Sequence, residues 1–214
     1  MVALVIERST DEPSVALAAD GKIVARTFAG LDARSADWPG KVQTFLSESG
    51  FGFCDLERLV VGTGPGSFAG IRGALAFAQG LAIGIRAKRP ENAADPIVYG
   101  LPSAAALAQD EGQMAVVGDA RRGLFWVVIY EGARTVSDFR LVTRDELPTA
   151  IPGSAVVTTP DGVRIGAVLT ETFGARFSGG RAPSAERLAR RAVEHPEALV
   201  PEPLPIYLSP AVRT

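Results

Sequence analysis

The chain has 214 residues, 47% of them hydrophobic and 21% charged, with a formal net charge of -2. That is material for one large or two small globular domains, and so even a charge balance excludes the basic surface that autonomous nucleic-acid binding needs. One cysteine, Cys54, excludes an intramolecular disulfide and a thiolate zinc site, and one histidine, His195, leaves no material for a His-based triad or a multi-histidine metal centre.

The opening MVALVIERSTDEP carries no basic region ahead of a long apolar stretch, and no uninterrupted apolar run reaches membrane-spanning length. A soluble, cytoplasmic protein without membrane contact is expected. Strands are predicted at Ala3 to Ile6, Ser14 to Ala18 and Lys22 to Phe28, the last two joined by Asp20-Gly21, a hairpin turn signal. A helix follows from about Ala36 to Ser49, with Trp38, Val42, Phe45 and Leu46 at helical spacing and Gly50 to end it. Leu59 to Gly62 reads as a buried strand that runs into Gly64-Pro65-Gly66-Ser67-Phe68-Ala69-Gly70 and a long helix, Ala69 to Arg86.

Beyond it, Pro102 to Gln109 is predicted as a helix and Ala115 to Val117 as a strand. Strands Leu124 to Tyr130 and Arg134 to Val142 flank the turn Glu131-Gly132-Ala133, and Ala155 to Thr158 is a further strand. Asp161 to Phe173 is of undecided type. Pro183-Ser184 opens a helix that runs to Glu194 and stops before Pro196, which makes His195 a residue at a helix end. Two stretches that each begin with a strand meander and continue into alternating elements imply a duplicated α/β architecture, with halves 1–111 and 112–214.

The glycine loop sits between a strand and a helix, where backbone N–H groups of Gly64, Gly66 and Ser67 can hold an anion. It has neither the Gly-Lys-Ser/Thr ending of a Walker loop nor the dinucleotide spacing. The plainer reading is a stiff turn ahead of a helix capped near Ser67. The helix says more. Gly70, Gly73, Gly80 and Gly84 fall within about a quarter of its circumference, with Phe77 among them. Each interior glycine costs about 1 kcal/mol relative to alanine, so the set costs roughly 3–4 kcal/mol that another contact must offset. Close approach of a second helix, internal or from a partner, fits. Ile71, Leu75, Ala78, Leu81 and Ile85 form the neighbouring face that buries the helix on its own sheet.

Leu4-Val5-Ile6-Glu7-Arg8-Ser9-Thr10, Ser14-Val15-Ala16-Leu17, Gly64 through Arg72, Gly80-Leu81-Ala82, Asp119-Ala120-Arg121-Arg122-Gly123 and Pro205-Ile206-Tyr207-Leu208 occur in an order and spacing that resemble the TsaB (YeaZ) family. Glu7-Arg8, Arg34-Ser35, Ala69 and Ser209 depart from the family's usual residues. The resemblance implies a duplicated actin-like ATPase (ASKHA, RNase H-like) fold. It also implies a non-catalytic subunit that pairs with TsaD, which forms threonylcarbamoyladenosine on tRNA next to the anticodon, with the ATPase TsaE assisting.

On that resemblance the chain has no cofactor of its own, ATP and metal belonging to the partner subunits, touches tRNA only within the complex, and forms a homodimer when alone. The contact with TsaD is expected at Trp38, Val42, Gly70, Gly73, Phe77, Gly80 and Gly84. Asp119, Arg121 and Arg122 are expected at a cleft between the halves, as an Asp–Arg network that orients them. The alternative is an ATP-binding enzyme of the same fold that transfers phosphoryl or acyl groups. A peptidase is less favoured, because metal ligands and a Cys-His or Ser-His pair are missing.

Overall fold

The computed structural model describes residues 1–28 and 37–208; Arg34, Ser35 and Ser209 lie outside the described residues. Along the chain run β1 (Val2–Glu7), β2 (Ser14–Ala19), β3 (Lys22–Thr27), α1 (Trp38–Glu48), β4 (Arg58–Gly62), α2 (Phe68–Arg86) and β5 (Ile97–Leu101). They are followed by β6 (Gln113–Arg121), β7 (Leu124–Glu131), β8 (Arg134–Thr135), β9 (Arg140–Thr143), α3 (Leu147–Ala150) and β10 (Val156–Thr159). The chain closes with α4 (Gly162–Phe173), β11 (Phe177–Gly180), α5 (Ala185–Glu194) and β12 (Val200–Pro201).

These elements form two units: residues 1–106 with 184–206, and residues 107–183 with the segment that begins at Tyr207. The first unit holds a six-stranded sheet in the order β12-β5-β4-β1-β2-β3. β1, β2 and β3 are an antiparallel meander, and β4 and β5 continue parallel to β1. Leu4 and Ile6 of β1 alternate onto the face that meets Trp38, Val42, Phe45 and Leu46 of α1 and Ile71, Ala74, Leu75, Ala78 and Ile85 of α2 in one core. The spacing in both helices puts those residues on single stripes, which is why the helices lie against the sheet.

The second unit repeats the topology. β7 pairs antiparallel with β6, β8 and β9, and β10 and β11 continue parallel to β6. Its core joins Ala115, Val117, Val127 and Ile129 to Leu147, Ile165, Leu169 and Phe173. The duplicated actin-like fold expected from the resemblance is thus present, and the stretch of undecided type, 161–173, is helix α4.

Three expectations change. The division at 111/112 assigns the last helix to the second half, yet α5 packs on β1, β2 and β3 of the first unit. Its buried Ala185, Leu188, Ala189 and Ala192 cover the sheet face opposite α1 and α2, and the Ala185 N–H donates to Ser14 Oγ at 2.9 Å. The predicted helix Pro102 to Gln109 is only a short 3-10 turn, Ser103–Leu107. The Ala106 and Leu107 carbonyls accept from the guanidinium groups of Arg187 and Arg181 instead of from N–H groups of a further helical turn. Arg134 to Val142 is not one strand but β8 and the start of β9, two short pairings with β7.

Candidate functional site

β1 and β4 run parallel with Ile6 beside Val61, so they end together at Glu7 and Gly62. Beyond that edge the chain turns from β1 into β2, and Thr63 to Ser67 leads from β4 into α2. The two turns are tied together. The Ser67 N–H donates to the Ser9 carbonyl at 2.7 Å, the Gly64 N–H donates to Ser103 Oγ at 3.0 Å, and Ser67 Oγ caps α2 by accepting the Gly70 N–H at 3.2 Å. A Cβ on Gly66 or Gly70 would overlap the carbonyl oxygen of Ser9 or Arg8. These glycines therefore serve backbone-to-backbone contact. Of the expected anion loop Gly64, Gly66 and Ser67, two N–H groups are already committed, that of Gly64 to the Ser103 hydroxyl and that of Ser67 to the Ser9 carbonyl.

Glu7 is fully buried, 0% exposed, at the end of β1, and Gly62 leaves it room, since a Cβ there would overlap the carboxylate. Its Oε1 accepts the Ser9 N–H at 2.6 Å. Burial raises its pKa above the usual carboxylate value, opposed in part by hydrogen bonds from Ser9 and Ser103. Arg8 points to the other face, where its guanidinium lies 4.4 Å from the centroid of the Trp38 ring.

The glycine stripe of α2 divides into two. Gly70 is buried against Arg8, and a Cβ on Gly73 would meet Arg8 Nη1 at 3.4 Å, so the first half faces inward. Phe77 is half-buried against the core. Gly80 and Gly84 are exposed, and among the described residues nothing beyond the helix's own backbone comes within 4 Å of where a Cβ would stand; Ile83 beside them is 70% exposed. Ala76 is exposed as well, so the second half of α2 presents a thin, largely apolar surface. By length and composition α2 is apolar enough to cross a membrane, but its Ile71, Ala74, Leu75, Ala78 and Ile85 pack on the sheet. Trp38 and Val42, expected on the partner face, are 1% and 0% exposed and belong to the core. The stripe that marks α1 as a helix is the stripe it buries.

In the second unit Asp119 ends the regular part of β6. Its N–H donates to Asp161 Oδ2 at 2.9 Å, and its Oδ1 accepts the Arg121 N–H at 2.8 Å. Arg164 forms ion pairs with both carboxylates. Arg121 and Arg122 hold left-handed backbone angles, φ 69° and 56°, in the turn to β7. Asp119 pairs with Arg121 within the second unit, together with Asp161 and Arg164, which no sequence motif marks, while Arg122 makes no ion pair among the described residues. Ser103 is equally unmarked, because a hydroxyl carries no pattern until the fold brings its neighbours close. Among the described residues no group of three His, Cys, Asp or Glu side chains can hold a metal ion.

The family model described as TsaD, tRNA N6-adenosine threonylcarbamoyltransferase, matches residues 35–139. The tRNA threonylcarbamoyladenosine biosynthesis protein TsaB of Escherichia coli K12 is 38% identical over 81 residues, 38% of this chain and 35% of that protein. An uncharacterised protein of Mycobacterium tuberculosis is 35% identical over 120 residues, 54% of this chain and 51% of that one. The matched segments thus span about half or less of the curated relatives' length. The solved structure of YeaZ from Pseudomonas aeruginosa superposes with a TM-score of 0.75 at 24% identity, covering 97% of this chain and 99% of that one.

Proposed function

We propose that the chain is a TsaB (YeaZ)-type protein, a non-catalytic subunit that pairs with a TsaD-type protein in forming threonylcarbamoyladenosine on tRNA; its likeness to TsaB of Escherichia coli and to the TsaD family model supports this reading. The observation that carries this reading is the second half of α2. A helix that retains Gly80 and Gly84 where, among the described residues, no other element comes near them gives up about 1 kcal/mol at each, and a partner backbone that comes close offsets that cost. Ile83 then supplies the apolar anchor, with the half-buried Phe77 and Gly73 along its edge.

In this role the chain works in the cytoplasm, holds no nucleotide or metal of its own and meets tRNA and a TsaE-type ATPase only in the assembled complex. The commitment of the Gly64 and Ser67 N–H groups to Ser103 and Ser9 supports the lack of a phosphate loop. When the partner is absent, the same face pairs two copies of the chain. The test is co-expression with the TsaD of the same organism, followed by size-exclusion chromatography and a tRNA-modification assay. Co-elution with modification that depends on this chain is expected; separate elution, with modification unaffected by its removal, rejects the proposal.

A further inference from the structure

We infer, resting on the reading of α2 just given, that Phe68 and Arg72 form a receptor for one carboxylate of the TsaD-type partner at the end of this face. The two residues are four apart on α2, so their side chains lie on one side of the helix. The Arg72 guanidinium sits 4.9 Å from the centroid of the Phe68 ring, and both residues are exposed, Phe68 at 53%. An aromatic ring against one face of a guanidinium leaves its edge of N–H donors open and restrains the fork, so less freedom is lost when a carboxylate binds in bidentate fashion.

Among the described residues no carboxylate lies within ion-pair distance of Arg72, whereas Arg86 at the other end of α2 pairs with Asp95 at 3.3 Å and Arg26 with Glu48 at 2.6 Å. The pair also sits in the first turns of a 19-residue helix, where the peptide dipoles favour a negative charge. Its surroundings select the ligand. Ala69, Ala76, Gly80 and Ile83 share this exposed side, and the other arginine of α2 near it, Arg86, is paired with Asp95, so among the described residues of α2 Arg72 is the cation without a carboxylate. An RNA backbone requires a track of cations, while one Asp or Glu on a packed protein helix requires one fork.

The experiment measures the affinity of the full chain for the TsaD of the same organism, by calorimetry, for wild type, Arg72→Glu, Arg72→Lys, Phe68→Ala and Gly80→Leu, with circular dichroism to show that each is folded. Arg72→Glu is expected to weaken binding roughly 10- to 100-fold. Arg72→Lys keeps the charge but loses the fork, and Phe68→Ala loses the restraint; each is expected to weaken binding about 3- to 10-fold. Wild-type affinity for Arg72→Glu beside weakened Gly80→Leu would overturn the carboxylate receptor while leaving α2 as the interface. Wild-type affinity for both would overturn the interface reading and the receptor with it. Unchanged affinity for TsaD with loss of tRNA binding by the complex would identify a phosphate as the ligand, and would equally overturn the inference.

Discussion

Arg8 stacks on Trp38, its guanidinium 4.4 Å from the ring centroid, and both side chains are buried within the first unit. A cation is thus covered by an indole that also fills the core between α1 and the sheet. Truncation with Trp38→Ala removes a large core side chain and uncovers Arg8, and is expected to cost about 3–5 kcal/mol; Trp38→Phe, which keeps an aromatic face, is expected to cost about half as much. Urea denaturation of the two variants measures the difference. Equal losses would show that the aromatic face contributes nothing beyond volume.

Two glycines of the same helix respond oppositely to one methyl group. Gly70→Ala drives a Cβ into the Arg8 carbonyl and is expected to destabilise by roughly 2–4 kcal/mol. Gly84→Ala meets no other element among the described residues and is expected to stabilise the isolated chain by up to about 1 kcal/mol. Thermal melts of both variants test the division of the stripe into an inward and an outward half. A destabilising Gly84→Ala would place that position against another part of the chain.

Glu7 links stability to pH. Its folded-state pKa is raised by burial, so its favourable contribution is complete below the unfolded carboxylate value and is lost as pH rises through the folded value. Glu7→Gln removes the titration while keeping the shape. The wild-type chain is expected to lose stability relative to Glu7→Gln as pH increases above the ordinary carboxylate range. Denaturation midpoints at a series of pH values check this, and parallel curves for the two proteins would contradict it.

In the second unit, Asp161→Ala deprives the Asp119 N–H of its acceptor and Arg164 of a partner, and is expected to cost about 1–3 kcal/mol. Arg122 adopts φ 56° without an ion pair in the described residues, so Arg122→Gly is expected to stabilise by a few tenths to about 1 kcal/mol. Guanidinium denaturation of the two variants measures both signs. A loss of stability in Arg122→Gly would mean that its side chain supports the turn.

Much of the architecture is legible where periodicity is strong. The meander from β1 to β3, the helices around Val42 and Leu75, and the hairpin turns at Gly21 and Gly132 all follow from local patterns that the fold keeps. β5 and β11 carry no such pattern, because Ile97–Leu101 and Phe177–Gly180 contain glycines and owe their strand form to parallel neighbours distant in sequence. The place of α5 is equally hidden, since an amphipathic helix carries no label for the sheet it covers. The same limit governs the candidate face. Helical spacing puts Gly70 and Gly84 on one stripe, but only the Arg8 carbonyl distinguishes the one from the other. Trp38 and Val42 stand out as large apolar residues on a helix, and that property is what sends them to the core.

The return of the chain from the second unit to cover the first sheet with α5 has a temporal side. A ribosome delivers residues 1–106 well before residues 184–206, at about 5–20 residues per second. The first sheet therefore waits several seconds with one apolar face bare, while residues 107–183, continuous in sequence, emerge and close their own core. During that interval the nascent first sheet is open to chaperones or to unwanted pairing with another unfinished chain.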